Sequence, residues 1–176
     1  MVQLWTRDDT KTQILIAKYG KEVREEWFTN PRTGAEEDFL LFGMRDGMVI
    51  LPITKEGMVI AGYQFMQGAN KVTLELPGGR VDSVGESPAE GARRELLEET
   101  GCEAEEFIEL GPPLYMATRS SWARVSLFLA LGCEKVQEPD GSEEIESVLI
   151  SLGEWIRIAH EDLEEAYMVA ATFRAL

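Results

Sequence analysis

The stretch from Gly78 to Cys102 constrains this chain more than any other: a Gly-Gly pair, then Glu86, then Arg94-Glu95-Leu96-Leu97-Glu98-Glu99-Thr100-Gly101-Cys102. Ser87 with Glu90 three residues on reads as a capping box, and Pro88 falls at the first helical position, where its missing N–H costs nothing. Gly101 supplies a left-handed residue just past the far end. Ala89, Ala92 and Leu96 recur at helical spacing and are expected to face the core, which turns Glu95, Glu98 and Glu99 toward the preceding loop. Glu95 and Glu99 are i,i+4 neighbours and Glu98 follows Glu95 by one turn, so like charges converge. Each such pair costs roughly 0.2–0.5 kcal/mol in an isolated helix, a cost that a divalent cation between the carboxylates removes. A solvated acidic face is the plain alternative; the convergence points to a metal site.

Written as a pattern, G-x5-E-x7-R-E-U-x-E-E-x-G-U with U apolar, the signature of the Nudix hydrolases is reproduced from Glu86 to Cys102, with seven residues between Glu86 and Arg94. The chain resembles that family. Six residues rather than five separate Gly79 from Glu86, so Arg80-Val81-Asp82-Ser83-Val84-Gly85 carries one extra residue, expected as a bulge because surface loops absorb insertions at little entropic cost.

The resemblance implies that Glu95 and Glu99 ligate magnesium or manganese, with Glu98 as a further ligand or base. It implies a loop carbonyl from Gly78 or Gly79 in the coordination, Arg94 holding the glutamates in place, and Glu86 supporting the loop rather than binding metal. The implied reaction is hydrolysis of a nucleoside diphosphate linked to another group, in which divalent metal lowers the pKa of the attacking water and neutralises phosphate oxygens. The charge balance accords with such a bridge. With 32 acidic against 17 basic residues and a net charge of -15, the chain needs a cation between itself and an anionic substrate, and it lacks the basic stripe that a nucleic-acid polymer requires.

At 176 residues and 44% hydrophobic content the chain reads as one globular domain, residues 1–45 as N-terminal strands that form a dimer contact and 46–176 as the core. No apolar run reaches bilayer length and none resembles a signal peptide, so no membrane partner and a cytoplasmic location are expected. Cys102 and Cys133 fit a reduced compartment better than a disulfide. Strands are expected at Thr12–Lys18, Val23–Phe28, Glu37–Met44, Met48–Ile53, Met58–Phe65 and Val72–Leu76, then at Glu105–Glu109, Ala123–Leu131 and Glu146–Ile150. A C-terminal amphipathic helix is expected from Glu161 to Phe173, with Leu163, Ala166, Tyr167, Ala170 and Phe173 apolar. The fold class is α/β: a mixed sheet between helices, which is the Nudix α/β/α sandwich, with an additional N-terminal antiparallel sheet.

The long region before the signature is similar to the ADP-ribose pyrophosphatase branch, where an extra sheet helps form a homodimer and supplies part of the adenosine site. Gly62-Tyr63-Gln64-Phe65 and the acidic-Leu-Pro run Glu75-Leu76-Pro77 resemble that branch and place Glu75 among the substrate contacts; Met66 stands where the branch commonly has arginine. The run Ala117 to Arg124 is the best candidate for specificity: Arg119 and Arg124 for phosphate or ribose, and Trp122 for stacking on a ring, with a surface loop around a packed tryptophan as the alternative. In the acidic segment Glu138 to Glu146, similar proteins place another catalytic or metal-binding glutamate; Glu144 is the first choice and Glu143 the second. His160 has no partner motif and reads as a surface or capping residue. Two other functions remain open. A non-catalytic Nudix-like nucleotide-binding module would show ligand binding without turnover, and an isopentenyl-diphosphate-type isomerase would need a protonating cysteine, for which Cys133 is the one plausible position.

Overall fold

The computed structural model describes residues 2–82, 85–141 and 143–176. In chain order the strands before the first helix are β1 (Thr6–Lys18), β2 (Lys21–Thr29), β3 (Glu36–Met44), β4 (Gly47–Thr54), β5 (Met58–Met66), β6 (Lys71–Glu75) and β7 (Gly78–Arg80). There follow α1 (Pro88–Thr100), β8 (Cys102–Glu103), β9 (Glu106–Glu109), β10 (Leu114–Tyr115), β11 (Arg124–Lys135), β12 (Glu146–Ser151), α2 (Leu152–Glu161) and α3 (Ala166–Arg174). The chain divides into two compact units, Met1–Arg45 with Leu114–Arg124, and Asp46–Pro113 with Val125–Leu176.

The first unit is built on an antiparallel meander, β1-β2-β3. Tyr19 and Gly20, with φ of 53° and 71°, form the two-residue turn between Lys18 and its partner Lys21. Two successive positive φ angles match the strand twist, as in type I′ hairpins. β1 begins at Thr6 rather than at the expected Thr12: Asp8 pairs with Trp27, and a register shift between Asp8 and Gln13 takes up Asp9, a poor strand former. Asp8 accepts there from both the backbone N–H and the hydroxyl of Thr10, at 3.0 and 2.6 Å. The segment after β10 is stapled to β3 by the Phe42 N–H, which donates to the Ser120 carbonyl at 2.8 Å.

In the second unit β11 runs parallel to β4, from Val125 opposite Gly47 to Cys133 opposite Thr54, while β5 and β12 continue the sheet antiparallel in the order β11-β4-β5-β12. β6 adds to β5, β7 to β4, and β8 and β9 to β11. A sheet covered on both faces reads as near-continuous apolar sequence, as in Met48 to Ile53 and Val125 to Leu131. Met48, Ile50, Ile60, Phe128, Ala130 and Cys133 pack with Ala92, Leu96 and Cys102 around α1. The alternating residues Leu51, Val59 and Leu127 are fully buried on the other face, where α3 packs against β4 and α2 against α3. The expected α/β/α sandwich, mixed sheet and separate antiparallel sheet are all present.

Two helix expectations change. In α1 it is Gly91 and not Ala89 that enters the core; Ala89 is exposed, and a Cβ on Gly91 would lie 2.5 Å from the terminal methyl of Met48. The helix expected from Glu161 begins only at Ala166, as α3, and a further helix, α2, precedes it where none was expected. α2 stops at Asp162, and α3 restarts with Glu165 as N-cap, its carboxylate accepting from Tyr167 and Met168 N–H at 2.8 and 2.9 Å. Their buried residues are Trp155, Ala159, Met168, Ala171 and Thr172, so Leu163 lies between the helices and Phe173 faces outward. The indole N–H of Trp155 donates to the Thr172 hydroxyl at 2.8 Å and ties the pair together. His160 is exposed in the last turn of α2, a position that suits a cation.

Candidate active site

Arg94 occupies the middle of the acidic face of α1. Its Nε donates to Glu86 Oε1 at 3.0 Å, Nη1 to Glu95 Oε1 at 2.9 Å and Glu98 Oε2 at 3.0 Å, and Nη2 to the Arg80 carbonyl at 3.1 Å. A planar fork of donors can serve four acceptors at once, which a lysine ammonium cannot do in this geometry. The bond to Glu86, with those to Glu95 and Glu98, holds the guanidinium proton above its already high ordinary affinity. Glu86 divides its oxygens between Arg94 and the Asp82 N–H, the latter at 2.6 Å, so it braces the loop before the helix. Ser83 and Val84, within the segment where a bulge is expected, lie outside the described residues.

The Gly-Gly pair admits the carboxylates. A Cβ on Gly79 would stand 2.1 Å from Glu95 Oε1, and one on Gly78 would stand 2.4 Å from the Met48 carbonyl, so any side chain at either position displaces the site or the strand. These residues form β7, paired with β4 through Gly78 opposite Val49 and Gly79 opposite Met48. The Gly78 N–H donates to Glu99 Oε2 at 3.2 Å. Burial pushes the Glu95 carboxyl above its ordinary value, and it pushes Glu99 up to about 8, with the charges of Glu95, Glu143 and Glu98 adding to the effect. Among the described residues no three His, Cys, Asp or Glu side chains are grouped closely enough to hold a metal ion as they stand. The chemistry of the donors nevertheless fits a hard cation: every one is a carboxylate oxygen, and Glu99 is a half-buried acid pressed by its neighbours' negative charge.

Of the two candidate glutamates in the acidic segment, both exposed, Glu143 is the one whose charge reaches Glu99. Glu75, on β6, is half-buried; burial raises its carboxyl although the Thr73 hydroxyl donates to it at 2.5 Å. Cys133 is 3% exposed and its thiol, raised by burial to about 11, donates to the Ala130 carbonyl. That is a packed thiol, not the substrate-facing acid an isomerase needs.

The first unit contains a cavity of about 740 Å³ lined by Trp5, Arg7, Arg24, Glu26, Phe28, Phe39, Leu41, Thr118, Arg119, Ser121 and Trp122. Strand register builds its walls, because Arg24, Glu26 and Phe28 alternate along β2 and Glu26 and Arg24 lie opposite Phe39 and Leu41 of β3. Arg119 and Trp122 are thus brought together with Arg24, Glu26 and Phe28, which no motif marks. Arg124 lies exposed at the start of β11. The Arg24 guanidinium sits 4.3 Å from the Trp122 ring centroid, and Gly43 leaves room for that ring, since a Cβ there would fall 2.4 Å from it. Glu26 is 2% exposed, with Arg7 Nη1 at 3.4 Å. Its one legible signal is strand alternation, which puts a carboxylate on the same side as Phe28.

A family model described as NUDIX domain matches residues 44–172. The chain belongs to the Nudix family. Its Nudix relatives include the ADP-ribose pyrophosphatase of Bacillus subtilis, 28% identical over 129 residues, which cover 69% of each chain. The ADP-ribose pyrophosphatase of Mycobacterium tuberculosis is 32% identical over 97 residues, 55% of this chain and 46% of that one. A methanol dehydrogenase activator from Bacillus methanolicus is 32% identical over 103 residues, 57% of this chain and 54% of the activator. The chain therefore spans about half the length of two of these three relatives. The crystal structure of an ADP compounds hydrolase superposes with a TM-score of 0.81 at 23% identity, covering 99% of this chain and 94% of that one, a likeness of fold. The resemblance of this Nudix chain to the ADP-ribose pyrophosphatase branch is borne out by these relatives.

Proposed function

We propose that this Nudix chain is a divalent-metal-dependent hydrolase of a nucleoside diphosphate linked to a second moiety, ADP-ribose or a nucleotide sugar, releasing a nucleoside monophosphate and a phosphorylated product. The observation that carries this reading is the contact of Glu95 with Gly79, which seats an oxygen-only donor set against the loop. Glu95 and Glu99, with Glu98 and the Gly78 backbone, would hold magnesium or manganese. When bound, that ion activates water and neutralises phosphate charge. Arg94 keeps Glu95 and Glu98 in place, Glu86 braces the loop, and Glu143 accepts the proton of the attacking water, a role for which its approach to Glu99 makes it a better choice than Glu144.

Within the first unit, the aromatic cavity has the chemistry to recognise a nucleoside. Arg119 supplies charge to phosphate or ribose, and the buried Glu26 carboxylate accepts a hydrogen bond from a base amine. Arg24 engages one face of Trp122, and Phe28 and Phe39, edge-to-face at 5.6 Å, line the same cavity. We also propose a homodimer in which β1 is buried, since its Ile14, Leu15 and Ile16 are 58, 49 and 61% exposed; light scattering tests the mass.

The deciding experiment is product analysis with magnesium or manganese and a panel of ADP-ribose, nucleotide sugars, dinucleotides, nucleoside triphosphates and isopentenyl diphosphate. A nucleoside monophosphate plus a phosphorylated partner is expected from ADP-ribose or a nucleotide sugar, and Glu98→Gln or Glu99→Gln abolishes it without unfolding the protein. Turnover of none, or undiminished rates in both variants, overturns the reading.

A further inference from the structure

We infer that Gln64 is a positioning residue for the reaction: its side-chain amide holds Glu143 on the side of the sheet where the acidic face of α1 lies. The inference rests on the diphosphatase reading above. Ile60, Gly62 and Gln64 alternate along β5 and share a face, and Ile60 packs in the cluster under α1, so Gln64 projects to the α1 side. From there its Nε2 donates to Glu143 Oε2 at 2.5 Å, across 79 positions of chain. An ionised carboxylate only accepts, so the amide nitrogen and not the oxygen must face it.

The chain is anchored before Glu143 at Asp140 and after it from Glu146 onward. Upstream, Val136 and Gln137 N–H donate to the Gly101 carbonyl at 2.8 and 3.1 Å, and Asp140 N–H donates to the Glu98 carbonyl at 2.9 Å. Downstream, Glu146 and Ser147 pair with Tyr63 and Gly62. Ile145 fills the space over Gly62, where a Cβ would come within 2.4 Å of its Cγ2. An exposed glutamate otherwise samples many rotamers, and a charge-assisted bond selects one of them.

Gln64→Leu keeps the volume and removes the donor. It is expected to lower kcat about 10- to 100-fold with KM for the nucleotide unchanged, the range set by one hydrogen bond to a charged group. In a Glu143→Ala background the same change adds nothing further; with Glu143 present, Gln64→Lys, which supplies an N–H donor, keeps most of the rate that Gln64→Leu loses. Amide hydrogen exchange in peptides covering residues 143–148 should speed up equally in Gln64→Leu and Glu143→Ala. Wild-type kcat in Gln64→Leu, a loss that multiplies with that of Glu143→Ala, or unchanged exchange overturns the assignment. Exchange needs no substrate: absence of turnover by the wild-type protein would overturn the diphosphatase reading and the positioning role with it, while exchange decides separately whether Gln64 holds Glu143.

Discussion

Gly79 is the position at which a single methyl group does the most damage. A Cβ there falls 2.1 Å from Glu95 Oε1 and cannot be accommodated by rotating the far end of a long chain, because Glu95 is also fixed by Arg94 at 2.9 Å. Gly79→Ala is expected to cut kcat at least 100-fold, the scale on which misplaced catalytic groups cost rate. Steady-state assay against the wild type checks it, and a drop under about threefold would contradict the cradle. Arg94→Lys keeps the charge but loses the fork; with Arg94 25% exposed, a stability loss of about 1–2 kcal/mol is expected, read by urea denaturation. Cys133 gives a chemical test of burial. A thiol at about 11 is ionised to about one part in ten thousand at pH 7, so the native protein should resist iodoacetamide there until pH is raised or guanidinium is added. Fast native modification at neutral pH would place this thiol at the surface instead.

α1 shows why some elements were readable in advance. Its Ser87 hydroxyl accepts from Glu90 N–H while the Glu90 carboxylate accepts from Ser87 N–H at 2.8 Å, and Gly101 closes the far end at φ 71°. Ser87→Ala should therefore cost about 1 kcal/mol, a fall in Tm of about 2–4 °C measured by thermal melting. Such start and stop signals are local, and so they stand in the sequence. The same signal was present before α2, where Ser151 caps through Glu154 N–H, but Gly153 and the short length after a strand concealed it. The hairpin at Tyr19-Gly20 likewise rests on local turn chemistry, two successive positive φ angles. What the sequence could not carry was the meeting of distant parts: Gln64 with Glu143, Glu26 with Phe39 and Arg119, Leu76 N–H with Met168 Sδ at 3.0 Å. The candidate metal ligands were visible from their helical spacing, yet the choice between Glu143 and Glu144 depended on how an acidic segment lands on β5. Ala89 was misplaced because a periodic pattern cannot foresee that Met48 reserves its space for a glycine.

At the scale of the whole molecule, a ligand that binds only the folded acidic face adds its binding energy to stability. Magnesium at about 100 times its dissociation constant should add about 2.7 kcal/mol, visible as a rise in Tm that chelation reverses. Glu99→Gln should remove most of that rise; an equal rise in the variant would move the ion elsewhere. The parallel ladder between β4 and β11 sets a different kind of limit. Gly47 finds Val125 and Thr54 finds Cys133, so the middle of the sheet cannot close until the chain beyond α1 is available. Loop closure over that distance comes before the contacts that reward it, which makes such pairings slow. On a ribosome, the β1-β2-β3 meander can assemble while synthesis continues, whereas the segment bearing Glu95, Glu98 and Glu99 emerges with half of its supporting sheet still unmade. Between those two moments the apolar runs of β4 and β5 are exposed, and in this window a growing chain has most need of protection from its neighbours.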